Sequence, residues 1–286
     1  MRNRWIPEPD EFFVGYISDA PQQTSFILRK IIICLGVVVV IIAMTIAVSQ
    51  REFSTANFEY GQFTTVEGYL FSNPLPHLKI NRGVDSMGMP RYQTVLLVGE
   101  GKAGANEMIK EYETHLGRME GQLIQLQGQL IHGHHKVVLQ LSAEQLPKRI
   151  GDKQGLKPML LKEGIETNIS GEIVDPKCYF GVMKPGEGKP HRSCAIRCIA
   201  GGIPPVFHVN GLSEYYLLLD ENLQPVNQRI LDIVGDNITL HGKAYQFDDW
   251  KIFLLNESFL KEQAKAGKIR RNLMAMQEGI TSCENK

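Results

Sequence analysis

Ile169-Ser170-Gly171-Glu172-Ile173 places a glycine at the centre of a short apolar-polar alternation. Alternation of period two reads as a strand, and a glycine inside a strand marks a bulge or a sharp bend. The same frame recurs at Val66-Glu67-Gly68-Tyr69-Leu70, at Met119-Glu120-Gly121-Gln122-Leu123 and at Leu126-Gln127-Gly128-Gln129-Leu130. A looser copy is Leu240-His241-Gly242-Lys243-Ala244. Repeated bending strands predict small curled β-barrels of the OB type. The expected fold is mainly β with few helices: one N-terminal transmembrane helix, then two small OB-like β-barrel modules.

The first module spans 52–146, with strands near 62–72, 92–98, 119–131 and 136–142 and a helix near 103–114. A charged, glycine-containing linker, 147–164, leads to a second module at 165–257. Its strands are expected at 167–174, 204–209, 214–219, 238–247 and 250–255, with Asp248-Asp249 as a tight turn between the last two. Residues 258–286 form a C-terminal helix and tail. The basic residues Lys261, Lys265, Lys268, Arg270 and Arg271 there read as a solvated helix surface.

Residues 26–49 read as the membrane helix. Ile31 to Val48 is an 18-residue run without a charge, close to the roughly 20 apolar residues that cross a bilayer core. Arg29 and Lys30 lie at its start, where long stems can snorkel. A cleaved signal peptide would place a shorter apolar core nearer the N-terminus and follow it with small residues; neither feature is present. Arg2, Arg4, Arg29 and Lys30 precede the span and Arg51 follows it. The positive-inside rule therefore puts residues 1–25 in the cytoplasm. The expected location is the inner (cytoplasmic) membrane, single-pass, with the main domains periplasmic or exterior and the bilayer as a partner.

Lysine and arginine number 31, aspartate and glutamate 31, so the formal charge is zero. With no basic run, nucleic acid is excluded as a partner. Val98-Gly99-Glu100-Gly101-Lys102-Ala103-Gly104 matches G-x-G-x-x-G, but no alternating strands and helices surround it and no acidic strand end follows. It is read as a strand-to-helix turn, not a nucleotide site. His132-Gly133-His134-His135 is read as a polar hairpin tip. His208 and His241 are read as surface or satisfied core histidines. No G-x-S-x-G, H-E-x-x-H, P-loop or C-x-x-C motif is present.

The chemistry is concentrated elsewhere. Of five cysteines, Cys34 lies in the span and Cys283 in the tail. The others are Cys178, Cys194 and Cys198, with His191 among them. His191, Cys194 and Cys198 stand at i, i+3 and i+7, which stacks them on one helix face. Pro190 suits the helix start and Gly201-Gly202 its stop. Thiolates and imidazole suit zinc, and thiolates also suit copper(I) or an iron–sulfur centre. Lys177, Lys184, Lys189, Arg192 and Arg197 would favour thiolates. Three readings stand open: a metal or cofactor site, a disulfide from Cys178 to Cys194 or Cys198, and inert buried thiols.

The segment GEIVDPKCYFGVMKPGEGKPHRSCAIRCIAGGIPPV resembles a block in uncharacterised bacterial membrane-anchored envelope proteins. Their pattern is D-x-x-C, a glycine-rich loop, then H-x-x-C-A-x-x-C-I-x-G-G-x-P. Phe13-Val14-Gly15-Tyr16, Ala20-Pro21 and Phe58-Glu59-Tyr60-Gly61 are also similar. The resemblance implies that the cluster works as a unit and names no reaction. The expected function is a membrane-anchored periplasmic accessory protein. It would hold a metal or redox centre through Cys178, His191, Cys194 and Cys198, with Asp175 and Arg192 as supporting residues and a membrane protein as partner. The alternatives are a thiol–disulfide exchange enzyme, with Cys194 attacking, and a disulfide-stapled scaffold.

Overall fold

In the computed structural model, residues 22–49, 56–143, 145–150, 156, 164–263 and 265–266 are described. Helix α1 (Gln22–Ser49) contains the stretch Ser25–Val48, 24 residues long, within which an 18-residue window has a mean hydropathy of 3.3. At 1.5 Å per residue this stretch is about 36 Å long, enough to cross a hydrocarbon core. Arg2, Arg4, Arg51 and the segments around Tyr16 and Pro21 lie outside the described residues.

Two closed five-stranded barrels follow. The first contains β2 (Thr64–Phe71), β3 (His77–Val84), β4 (Pro90–Val98), β5 (Leu123–Gly133) and β6 (Lys136–Leu141), with α2 (Asn106–Leu116) between β4 and β5. A two-residue strand, β1 (Asn57–Phe58), and another, β7 (Lys148–Arg149), add to the outside of β5. The order around the ring is β2-β3-β4-β6-β5, closing on β2. Only β4 and β6 run parallel. The second barrel contains β8 (Ile165–Val174), β9 (Val206–Val209), β10 (Tyr215–Asp220), β11 (Ile238–Phe247) and β12 (Trp250–Leu255). Its ring runs β8-β9-β10-β12-β11, with only β10 and β12 parallel. Both rings therefore join their strands in the order first, second, third, fifth, fourth, the Greek-key connectivity of an OB barrel.

The glycine frame marks the same two strands in each ring. Gly68 and Gly128 lie on the first and fourth strands of barrel one, and Gly171 and Gly242 on those of barrel two. At Gly128 the carbonyl of Gln140, and at Gly171 that of His208, occupies the space a Cβ would need. The bend depends on that close approach. Gly121 is different: it lies in the turn before β5 with φ +72°.

Strand β3 is not apparent in the sequence, because His77 and Lys79, on the face it turns to barrel two, are polar and yet buried. Their partners come from barrel two. The β11–β12 turn, Asp248-Asp249, inserts against barrel one. Lys79 Nζ meets Asp248 Oδ2 at 2.8 Å, and Thr94 N–H donates to Asp249 Oδ1 at 2.7 Å. Trp250 Nε1 donates to the Thr94 carbonyl at 3.2 Å, and Lys136 Nζ donates to the Asp249 carbonyl. The reverse insertion is made by the β5–β6 turn. His134 and His135, with φ of 53° and 62°, form its tip, and the His134 ring stacks on Tyr179 of barrel two. Leu96, Ile131 and Val138 of barrel one share one core with Val174, Phe180, Trp250 and Ile252 of barrel two. Each fully buried side chain of this size contributes about 1.5–3 kcal/mol. Apolar burial therefore holds the seam, while a buried ion pair fixes its register at little net gain.

His77 makes this seam sensitive to acid. Its ring lies between Phe71 and Phe247, its Nδ1 is 2.7 Å from the Leu75 carbonyl, and its Nε2 has no hydrogen-bond partner. Burial, aided by the Lys79 charge, lowers its pKa to about 4; the Leu75 carbonyl and Asp248 oppose the shift. The unfolded chain titrates near 6.5 and so binds more protons than the fold below that pH. The stabilisation is complete above pH 6.5 and is lost as pH falls towards 4. Integrated over that window it amounts to roughly 3 kcal/mol. His77→Phe is expected to flatten the dependence of unfolding free energy on pH between 6.5 and 4. An unchanged slope would refute the assignment.

Beyond β6, Leu156 N–H bonds the Gly121 carbonyl at 2.9 Å, and most of 151–163 lies outside the described residues. A helix begins at 257, where Asn256 Oδ1 caps Phe259 N–H at 2.8 Å. Lys268, Arg270, Arg271 and Cys283 lie outside the described residues.

Candidate metal centre

The cluster is built on an insertion between β8 and β9, the first two strands of barrel two. Strand β8 ends at Val174, and Asp175-Pro176 turns the chain. Aspartate is a strong helix cap and proline suits the first helical position. Asp175 Oδ1 accepts the Cys178 N–H at 2.9 Å, the bond a capping residue makes three positions on. The cap starts a π turn, Cys178–Val182, closed by Met183 N–H to the Cys178 carbonyl at 3.1 Å. The spacing D-x-x-C is therefore one capped turn that carries a carboxylate and a thiol into the interior.

Helix α3 (Gly188–Ala200) carries the other donors. Its first N–H, on Gly188, is held by Glu172 Oε1 at 2.8 Å. Its last carbonyls are taken by Asn227 Nδ2, 2.7 Å from the Ile199 oxygen, and Gln228 Nε2, 2.9 Å from that of Ala200. Gly201-Gly202 stops the helix and docks on the 99–104 turn: Gly104 N–H reaches the Gly201 carbonyl at 2.8 Å. The G-x-G-x-x-G segment is thus a strand-to-helix turn packed against the end of α3, as its context implied.

Cys178, Cys194 and Cys198 converge, with all three sulfurs within 4.8 Å of one another. All three are unbridged; Cys178 and Cys198 are buried and Cys194 is half-buried. His191 turns the other way along the site. Its Nε2 is 3.2 Å from Asp175 Oδ2, with side chains 3% and 0% exposed. Asp175, Cys178 and His191 form a second set of donor atoms, again all within 4.8 Å of one another. The four residues read from the sequence therefore lie in one place, but as two triads that share Cys178. These sets could hold a metal ion; the donor chemistry of thiolate, imidazole and carboxylate fits zinc and its soft neighbours.

Cys198 is the sulfur most easily ionised. The hydrogen bond from Cys178, then that from Cys194 and the Lys102 charge, lower its pKa against the cost of burial. Cys178 is pushed up, first as the donor of that bond and then by burial and Asp175. Cys194 is raised by burial and by Cys198.

No family model, curated protein or solved structure matches this chain.

The supporting residues differ from expectation. Asp175 is where the sequence places it, but as a direct partner of His191. Arg192 points away from the sulfurs, to Asp236 and to the Asp232 carbonyl at 2.7 Å. On a helix, the residue after His191 lies about 100° round from the donor face. The cations at the site are Lys177 and Lys102. Lys177 is buried and its Nζ donates to the carbonyls of Gly99 and Gly101 at 3.0 and 2.7 Å. Lys102 comes from the same turn in barrel one. No local pattern predicts it, because the contact exists only once the barrels meet.

The isolated histidines have other partners. His208 stacks on Tyr215, faces Glu187 Oε2 at 3.3 Å and touches the Tyr179 hydroxyl at 3.2 Å. His132 pairs with Glu59 at 3.1 Å, and His241 bonds Asn168 at 2.7 Å. His132–His135 also line an open groove of about 890 Å³ on barrel one, which mixes Arg82 and Lys136 with Glu59 and Glu67.

Proposed function

We propose that this protein is a membrane-anchored accessory protein that holds a thiolate metal centre at the seam between its two barrels. It serves an envelope redox or metal-handling complex, with a membrane protein as partner. The observation that carries the reading is the convergence of three sulfurs, two of them buried, beside a buried aspartate–histidine pair. Buried Lys177, on the insertion itself, and Lys102, on the 99–104 turn of barrel one, bring positive charge to the site, so an anionic thiolate complex would find compensating charge there. A thiol–disulfide exchange role is less well supported, because the reachable thiol, Cys194, has its pKa raised by burial and by Cys198, which disfavours a nucleophilic thiolate. The test is metal analysis with a free-thiol count on the full chain in detergent. One or more thiolate-bound ions with Cys178, Cys194 and Cys198 shielded from alkylation support the reading. Three freely alkylated thiols, or a stable disulfide, on a chain that cannot be loaded with metal would overturn it.

The likeness to bacterial envelope proteins and the charge bias around α1 support a bacterial inner membrane, with residues beyond the span on the periplasmic side. External protease should then digest the barrels in spheroplasts. Full protection until the membrane is breached would reverse the orientation.

A further inference from the structure

The two donor sets have the Cys178 sulfur in common. Their geometry goes further. We infer that the site holds two divalent ions of the zinc type, bridged by the Cys178 thiolate. This rests on the thiolate-centre reading and specifies its occupancy.

On one tetrahedral zinc, two sulfurs at about 2.3 Å stand roughly 3.8 Å apart, and a nitrogen and an oxygen at about 2.0 Å stand roughly 3.3 Å apart. Asp175 Oδ2 and His191 Nε2 are 3.2 Å apart, the separation they would have as co-ligands on one such ion. The three sulfurs form their own mutually close set. The donors do not group as a single Cys₃His set. They group as Cys178-Cys194-Cys198 and Asp175-Cys178-His191, with one sulfur in common. Thiolates bridge pairs of soft ions readily because sulfur keeps lone pairs after binding once, and zinc accepts sulfur, imidazole nitrogen and carboxylate oxygen alike. Copper(I) would fit the sulfur set but not the carboxylate of the second.

Burial points the same way. A fully buried carboxylate needs partners for both of its oxygens. Asp175 meets the Cys178 N–H and thiol and the His191 ring, while the Nζ of neighbouring Lys177 is committed to two carbonyls. A cation between Asp175, His191 and Cys178 satisfies all three at once. Loading releases each thiol proton to solvent and changes no oxidation state.

The test is cobalt(II) titration of the full chain in detergent, anaerobically, with elemental analysis and electron paramagnetic resonance. The expected result is two ions per chain, with a signal weaker than two isolated ions because the shared sulfur couples them. Asp175→Asn keeps the capping bond and removes the anionic donor; it should lower the stoichiometry from two to one and restore a full single-ion signal. His191→Gln should do the same, and circular dichroism checks that both variants fold. One ion per chain that survives His191→Gln overturns the second site and leaves the Cys₃ centre standing. One ion lost in His191→Gln overturns it in favour of a mononuclear Cys₃His site. No ion in the wild type overturns both this inference and the reading beneath it.

Discussion

Cys194→Ser is expected to abolish high-affinity metal binding at the three-sulfur set, while leaving the chain folded. Cys194 is half-buried, so a hydroxyl there keeps the volume and loses little packing. What disappears is one of three sulfur donors. Changing a residue that merely supports a metal ligand typically costs about 10–100-fold in affinity, and removing a ligand outright costs more. The readout is the thiolate-to-cobalt charge-transfer band, which should lose the greater part of its intensity, together with loss of zinc from the three-sulfur set after dialysis. If the variant retains stoichiometric metal with the wild-type spectrum, Cys194 is no ligand and the centre has been misassigned. Cys198→Ser should behave alike but with a stability cost, since Cys198 is packed in the core shared by the barrels.

Asp248→Asn is expected to destabilise the fold strongly, because its turn is inserted against barrel one. Asp248 has φ 50°, a conformation that asparagine also tolerates, so the turn itself is preserved. Its counter-ion Lys79 is 3% exposed at the side chain and would be left with an uncompensated charge. Breaking a buried pair in this way costs about 3–5 kcal/mol. For a folded unit of this size, each kcal/mol moves Tm by about 2–4 °C, so a fall on the order of 10 °C is expected by tryptophan fluorescence. Adding Lys79→Met should restore much of the loss, because the pair is expensive to halve and cheap to replace. A single variant that melts with the wild type would show the turn to be hydrated rather than inserted.

Much of the architecture could be read in the chain. The glycine frames at 68, 128, 171 and 242 mark the first and fourth strands of each ring, because closure forces those strands to bend and to crowd a neighbour's carbonyl. The hairpin at Asp248-Asp249 and the helix at Pro190 also follow from local chemistry. Strand β3 could not be read, since the face it turns to barrel two carries histidine and lysine in place of apolar residues. Those choices make sense only opposite Phe247 and Asp248, far along the chain. The candidate metal centre divides in the same way. The helical spacing places His191, Cys194 and Cys198 on one face, and the capped turn delivers Cys178. The rotation of His191 towards Asp175 depends on where β8 ends relative to α3. The approach of Lys102 depends on the docking of the other barrel. Both are tertiary facts without a local signature.

Of the three sulfurs, two are sealed inside and Cys194 stands at the rim. Traffic through such a centre runs in single file. An arriving ion would first be gripped by Cys194 and handed inward, and a departing one would leave from it last. The pace of loading and unloading is then governed by one outward-facing atom, whatever the depth of the well behind it.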